Sequence, residues 1–248
     1  MKRFLAALTA VLVCFVCAVP ALGVVIRGDE IFDEPDPANA PTTQFDALPP
    51  LDTSLLPVDF AQLQSENPDI YGWISIPDTQ IDFPLLQSPE GDDPDYYLDY
   101  TVDGVYGYPG SIYTENLYNT RKMTDRVTVI YGHNMSNGDA FGTLKLYHDD
   151  AYRQEHSLIY VYTPERIFTY EIVFCVTYDN RLILSWYDCN RPEGYEAFIQ
   201  SLYDVGTDPM WISEDEDFSA IEHMIVLSTC NGDHSERYVI GAKMVDVQ

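Results

Sequence analysis

From about residue 57 onward the chain is a succession of short runs rich in Val, Ile and Tyr, each closed by Pro, Gly or Asp. β-Branched and aromatic side chains suit a pleated, packed surface, and the punctuating residues suit tight turns. Runs at 71–76, 81–86, 110–113, 127–131, 158–163, 166–178, 224–230 and 238–247 therefore predict strands. Two segments depart from this pattern. Between residues 58 and 67, Val58, Phe60 and Leu63 recur at helical spacing before Asn67-Pro68 ends the segment. Over 192–203, Pro192 suits a first helical turn, and Tyr195, Phe198, Ile199 and Leu202 share one face. No internal repeat is present. The expectation is one mainly β domain, a closed or nearly closed barrel with a few helices on its outside.

Hydrophobic residues make up 46% of the 248, enough to supply such a domain with a core. The formal net charge is -27, with only 13 Lys and Arg. That balance excludes nucleic acid as a partner, since binding a polyanion needs clustered cations. The acidity itself reads as solubility. The cations are unevenly placed. None lies between Arg27 and Arg121, and Arg237 stands alone between Arg191 and Lys243. A lone cation in so acidic a stretch points to a local role.

The amino terminus carries Lys2 and Arg3 ahead of an uncharged, mostly apolar run over 4–26. At about 1.5 Å per residue, such a run can cross a bilayer. The competing reading is a cleaved signal peptide, with small residues at Ala21-Leu22-Gly23. The run is longer than a usual signal core, which favours a single-pass anchor with the remaining chain extracellular. Residues 27–56 hold five prolines among many acids and read as a tether. The expected organisation is an anchor or signal segment at 1–26, a tether at 27–56 and the domain at 57–248. Of five Cys, two lie in the apolar run, leaving Cys175, Cys189 and Cys230. Three is odd, so a monomer keeps at least one free thiol.

Cys230 is the thiol whose surroundings suggest chemistry. It closes the apolar run beginning at Met224, a polar loop follows, and Arg237 opens the next strand. A hairpin would set the two at the mouth of one loop. A neighbouring cation raises the thiolate fraction, and a guanidinium can hold the oxygen that turns negative when a carbonyl is attacked. The bland alternative is a buried structural thiol, the common fate of a strand cysteine. Proton transfer needs a third group. His133 follows a β-branched strand and Gly132, where a rigid scaffold can present an imidazole. His234 in the loop after Cys230 is the main alternative and reads as a solvated loop residue. His223 reads as structural, and His148 and His156 as exposed beside a surface helix. Cys175 reads as core, and Cys189 as a loop thiol. The run Glu214-Asp215-Glu216-Asp217 lacks the glycine and terminal Glu of a calcium loop and reads as a solvated acidic stretch. No Cys/His spacing fits zinc and no glycine-rich phosphate loop appears, so no metal and no cofactor is expected.

At this point the motifs resemble a family. Tyr131-Gly132-His133-Asn134-Met135, followed by Phe141-Gly142-Thr143-Leu144, is similar to the histidine motif of class B sortases. Leu227-Ser228-Thr229-Cys230 resembles their cysteine motif, and Arg237 takes the place of their arginine. Asn67-Pro68-Asp69-Ile70-Tyr71-Gly72-Trp73-Ile74 and Ile76-Pro77-Asp78-Thr79-Gln80-Ile81 match as well. The loop between Cys230 and Arg237 is shorter than in many relatives.

The resemblance spans about residues 58–247 and implies an eight-stranded barrel. It also implies an amino-terminal helix and a helix between the sixth and seventh strands. It further implies a cysteine transpeptidase that cuts a cell-wall sorting signal after Thr through a thioester. The surface protein would then pass to an amine of peptidoglycan or its lipid-linked precursor. Cys230 would be the nucleophile, His133 the acid/base and Arg237 the oxyanion clamp, with Ser228 and Thr229 as substrate contacts. A hydrolytic cysteine peptidase, a pilin-polymerising sortase and a tethered barrel without activity remain as alternatives.

Overall fold

The computed structural model describes residues 44–230 and 235–248. Nine strands appear among them: β1 (Ile70–Ser75), β2 (Asp82–Leu86), β3 (Ile112–Tyr113), β4 (Val127–Tyr131), β5 (Leu158–Tyr162), β6 (Ile167–Asp179), β7 (Thr207–Ile212), β8 (Met224–Cys230) and β9 (Glu236–Val247). They hydrogen-bond in the order β5-β1-β2-β3-β4-β8-β9-β6-β7, and β5 also pairs with β6. That last pairing closes eight strands into a barrel. β7 lies outside the ring, on the part of β6 that β5 does not reach. The sheet is mixed. β2–β3 and β4–β8 run parallel, and the remaining pairings are antiparallel.

Side-chain alternation sorts the strands into two cores. Ile74, Leu85, Ile130, Ile225, Leu227 and Ile240 belong to the cluster that fills the barrel. Val129, Val176, Val226 and Val239 face the other way and pack with Tyr195, Phe198 and Leu202 of helix α5 (Pro192–Asp204). β4 and β8 are thus covered on both faces, and their burial is near-continuous rather than alternating, taking in Thr128, Ser228 and Thr229 among apolar neighbours. Gly241 sits where β6 shifts register, and a Cβ there would meet the Phe174 ring at 2.0 Å. The glycine is the condition for that close approach.

The helices are short. α1 (Phe60–Glu66) is capped by Asp59, whose carboxylate accepts from the Gln62 amide at 3.1 Å, and it ends at Asn67 ahead of Pro68. α2 (Tyr96–Asp99), α3 (Asp150–Glu155), α4 (Ile183–Trp186) and α5 (Pro192–Asp204) complete the set among the described residues. α5 lies between the sixth and seventh strands of the closed ring and begins with Pro192, as its sequence predicts. Residues of the segment read as tether are held to the barrel from Phe45 onward. Arg166 donates to the carbonyls of Phe45 and Pro49, and the Phe45 ring packs edge-on against Phe168.

Two expectations need correction. β7 was not expected, because Gly206 and Pro209 punctuate its sequence. Proline is tolerated there because β7 is an edge strand, where a missing donor breaks no ladder. The expected membrane location, a single-pass anchor with an extracellular domain, is also corrected. Among the described residues no helix is long and apolar enough to cross a membrane. The apolar run at 4–26 lies outside those residues.

Phe198 is fully buried between α5 and the barrel. Phe198→Ala is expected to destabilise the domain by about 3–5 kcal/mol in denaturant titration. A loss below about 1 kcal/mol would mean that α5 adds little to the fold.

Candidate active site

β8 ends at Cys230, and its neighbours set what surrounds that residue. In the β8–β9 register Cys230 is directly opposite Arg237, and in the β9–β6 register Arg237 is opposite Tyr178. Directly opposed residues project from the same face with Cβ atoms about 5 Å apart. Cys230, Arg237 and Tyr178 therefore form one row across three strands. The row lies on the outer face, since Thr229 and Tyr238 occupy the intervening inward positions. Arg237 donates from Nη1 to the carbonyl of Glu236 at 3.0 Å.

On the other edge of β8, β4 brings up the histidine. Tyr131 is level with Ser228, and the Gly132 amide continues the ladder to the Ser228 carbonyl at 3.3 Å. The chain then leaves the sheet. A Cβ at Gly132 would lie 2.4 Å from Ile112 and 2.8 Å from Phe141, so only glycine fits at this exit. The loop folds back on itself, with the Phe141 amide donating to the His133 carbonyl at 2.9 Å and Asn134 bridging to Ala140. The Asn134 side chain reaches β8 and donates to the Cys230 carbonyl at 2.6 Å. His133 is thus one residue away from a direct bond to the backbone of Cys230.

The imidazole is held from its far side. Its Nε2 lies 3.0 Å from the carbonyl oxygen of Leu98, and its ring is 4.7 Å from that of Tyr108. As a carbonyl only accepts, this contact puts a proton on Nε2 and leaves Nδ1 as the exchangeable nitrogen. Tyr108 itself is 67% exposed, at the rim of the site.

Among the described residues burial separates the three thiols, all of them unpaired. Cys175 and Cys189 are 1% and 3% exposed, and burial pushes each thiol up to about 12. At neutral pH both are inert as nucleophiles. Cys230 is half-buried, with access to solvent.

The structure thus brings His133, Cys230 and Arg237 to one end of the barrel. Ser228 and Thr229 are 5% and 2% exposed. Strand packing thus covers most of both side chains, the two residues expected as substrate contacts. His234 lies outside the described residues. His223 is at the opposite end of β8 from Cys230, and its Nδ1 lies 3.2 Å from the Asp125 carbonyl oxygen. His148 and His156 are half-buried rather than exposed. The first ring packs 5.0 Å from Tyr238, and the Nδ1 of the second lies 3.1 Å from the Pro77 carbonyl oxygen. The acidic stretch at 214–217 is not purely solvated, because Glu216 pairs with Lys243 and Asp217 caps a 3₁₀ turn at Phe218–Ala220. Sequence reading missed Leu98, Tyr108 and the side-chain role of Asn134. A backbone carbonyl has no sequence signature, and one tyrosine among 19 does not stand out.

Known proteins supply the identity of this arrangement. The sequence model of the Sortase domain matches residues 74–245. The chain belongs to the sortase family. It is 31% identical to Sortase B of Listeria monocytogenes over 193 residues, covering 75% of this chain and 74% of that one. Among solved structures, Clostridium perfringens sortase B superposes with TM-score 0.63 at 25% identity, covering 76% of this chain and 100% of the other. A Staphylococcus aureus sortase B–substrate complex superposes with TM-score 0.62, covering 75% of this chain and 84% of that one. At 19% identity it speaks for the fold alone. The relatives are class B sortases, and the chain is a cysteine transpeptidase of that class.

Glu115, two residues past β3, is 2% exposed, and burial, reinforced by Asp95, pushes its carboxyl up to about 7. A carboxyl raised in the folded state favours folding while protonated and opposes it once ionised. Stability attributable to Glu115 is therefore present below its unfolded value near 4.5 and declines as pH rises through about 7. Glu115→Gln should flatten that decline between pH 5 and 8 in thermal melts. Parallel melting profiles for parent and variant would remove the carboxyl as the cause.

Proposed function

We propose that His133, Cys230 and Arg237 carry the transpeptidation, and that the donor is a surface protein bearing a C-terminal sorting signal cut after Thr. The observation that supports this reading most directly is the row that sets Cys230 opposite Arg237, with the His133 loop bonded to the Cys230 carbonyl.

The Cys230 thiolate attacks the threonyl carbonyl carbon, and the π electrons move onto oxygen. The Arg237 guanidinium stabilises that oxyanion with fixed donors. Collapse breaks the carbon–nitrogen bond, and the His133 imidazolium hands its proton to the departing amine. A thioester on Cys230 remains. An acceptor amine then attacks, His133 takes its proton, and the thiolate leaves as the new amide forms. Throughout, Nε2 keeps its proton on the Leu98 carbonyl, so Nδ1 is the nitrogen that gives and takes. The acceptor is an amine of peptidoglycan or its precursor, which makes the product a wall-anchored protein. Leu182 and Trp186, 42% and 67% exposed around α4, offer apolar surface for the donor's side chains near the Tyr178 end of the row, where Arg181 lies over the rings of both Tyr178 and Trp186.

Supplying a sorting peptide together with a wall-type amine should yield a ligated product that grows with amine concentration. A yield of cleaved acid alone, unmoved by amine, would make the chain a hydrolytic peptidase. Arg237→Lys keeps the charge and loses the planar fork. It should lower kcat by about 100-fold with KM largely kept. Near-parent turnover would make Arg237 a structural cation.

A further inference from the structure

The parallel ladder between β4 and β8 stops one rung short of the nucleophile. It runs through Tyr131 and Ser228, and the Gly132 amide bonds the Ser228 carbonyl. In a regular parallel ladder the next such rung joins the amide of residue 134 to the carbonyl of residue 230. That rung cannot form from the backbone, because the chain has turned away at Gly132 and residue 134 bridges to Ala140. The departure is what frees His133 from the sheet. It also leaves the last carbonyl of β8 without its backbone partner.

Asn134 fills the gap with its side chain, the Nδ2 group donating to the Cys230 carbonyl at 2.6 Å. We infer that Asn134 is a positioning residue for the reaction: its amide replaces the missing rung, fixing the histidine loop against the nucleophile strand. Two consequences follow from the geometry. The carbonyl of Cys230 is held still, which limits backbone rotation at the Cα that carries the thiol side chain. The spacing between the His133 and Cys230 backbones is set by one hydrogen bond rather than by the loop's own stiffness. The group at 134 must therefore be a donor of this length. A carboxylate of the same shape would set a lone pair against a carbonyl lone pair, while a protonated carboxyl would again donate.

This inference rests on the roles proposed above for Cys230 and His133, and the experiment separates the two. Asn134→Asp is compared with the parent for transpeptidation of a sorting peptide from pH 8 down to pH 5, alongside the rate of Cys230 alkylation by iodoacetamide. Near pH 8 the variant should lose about 100-fold in kcat with KM little changed. The variant-to-parent ratio should then climb as pH falls and the introduced carboxyl takes up a proton. Asn134→Ala should lower kcat at every pH, with a flat ratio to the parent. Parent-like turnover of Asn134→Asp, or an Asp ratio as flat as that of Ala, would overturn the inference. If the Asp variant does not fold, Asn134→Ala carries the test: lowered kcat with KM kept supports the role, and parent-like kcat overturns it. Cys230→Ala distinguishes the underlying reading, because transpeptidation surviving that change would refute the assigned nucleophile whatever the Asn134 variants do.

Discussion

The site depends on how β8 is held. This strand is paired on both edges, parallel to β4 and antiparallel to β9, and it is packed on both faces. Ile225 and Leu227 belong to the barrel interior, while Met224 and Val226 belong to the core beneath α5. A slip of one residue would exchange those two sets and turn Cys230 inward. The apolar burial that stabilises the fold therefore also fixes the direction in which the thiol points. The geometry of the candidate site is a consequence of register: Cys230 and Arg237 face each other across β8 and β9, and His133, distant in sequence, is brought to the same end by β4.

Much of this was legible in the residues. The β-branched run at β4 and the apolar run that opens β8 marked strands, Pro192 marked the start of α5, and the solitary Arg237 marked a place for charge. Other parts left no mark. β7 is an edge strand that tolerates a proline, so its sequence carries turn signals instead of strand signals. Ser228 and Thr229 adjoin Cys230 along the chain, and strand packing buries both. The grip on His133 comes from a backbone carbonyl in a distant loop, and carbonyls are common to every residue type.

The scarcity of cations gives a second view of the molecule. In a chain of charge -27, several arginines act as local clips. Arg126 lies 3.8 Å over the ring of Tyr195 and Arg153 lies 4.1 Å over that of Trp211, while Arg166 gathers carbonyls of the segment entering the barrel. Arg121 pairs with Asp69 at 3.1 Å, and Arg181 with Asp179. Arg121, Arg153, Arg166 and Arg181 each sit where guanidinium planarity gives them several partners at once, which a lysine would not match. Arg237 differs from them in its position, on the outer row beside an accessible thiol.

The most direct measurement is intact-mass analysis of the protein after brief exposure to a sorting peptide without acceptor amine, followed by mapping of the modified residue. The account predicts an adduct equal to the acyl half of the peptide, located on Cys230, cleaved by hydroxylamine as a thioester and released as ligated product when amine is added. An acyl group mapped to another residue, or turnover with no covalent species under any quench, would contradict it.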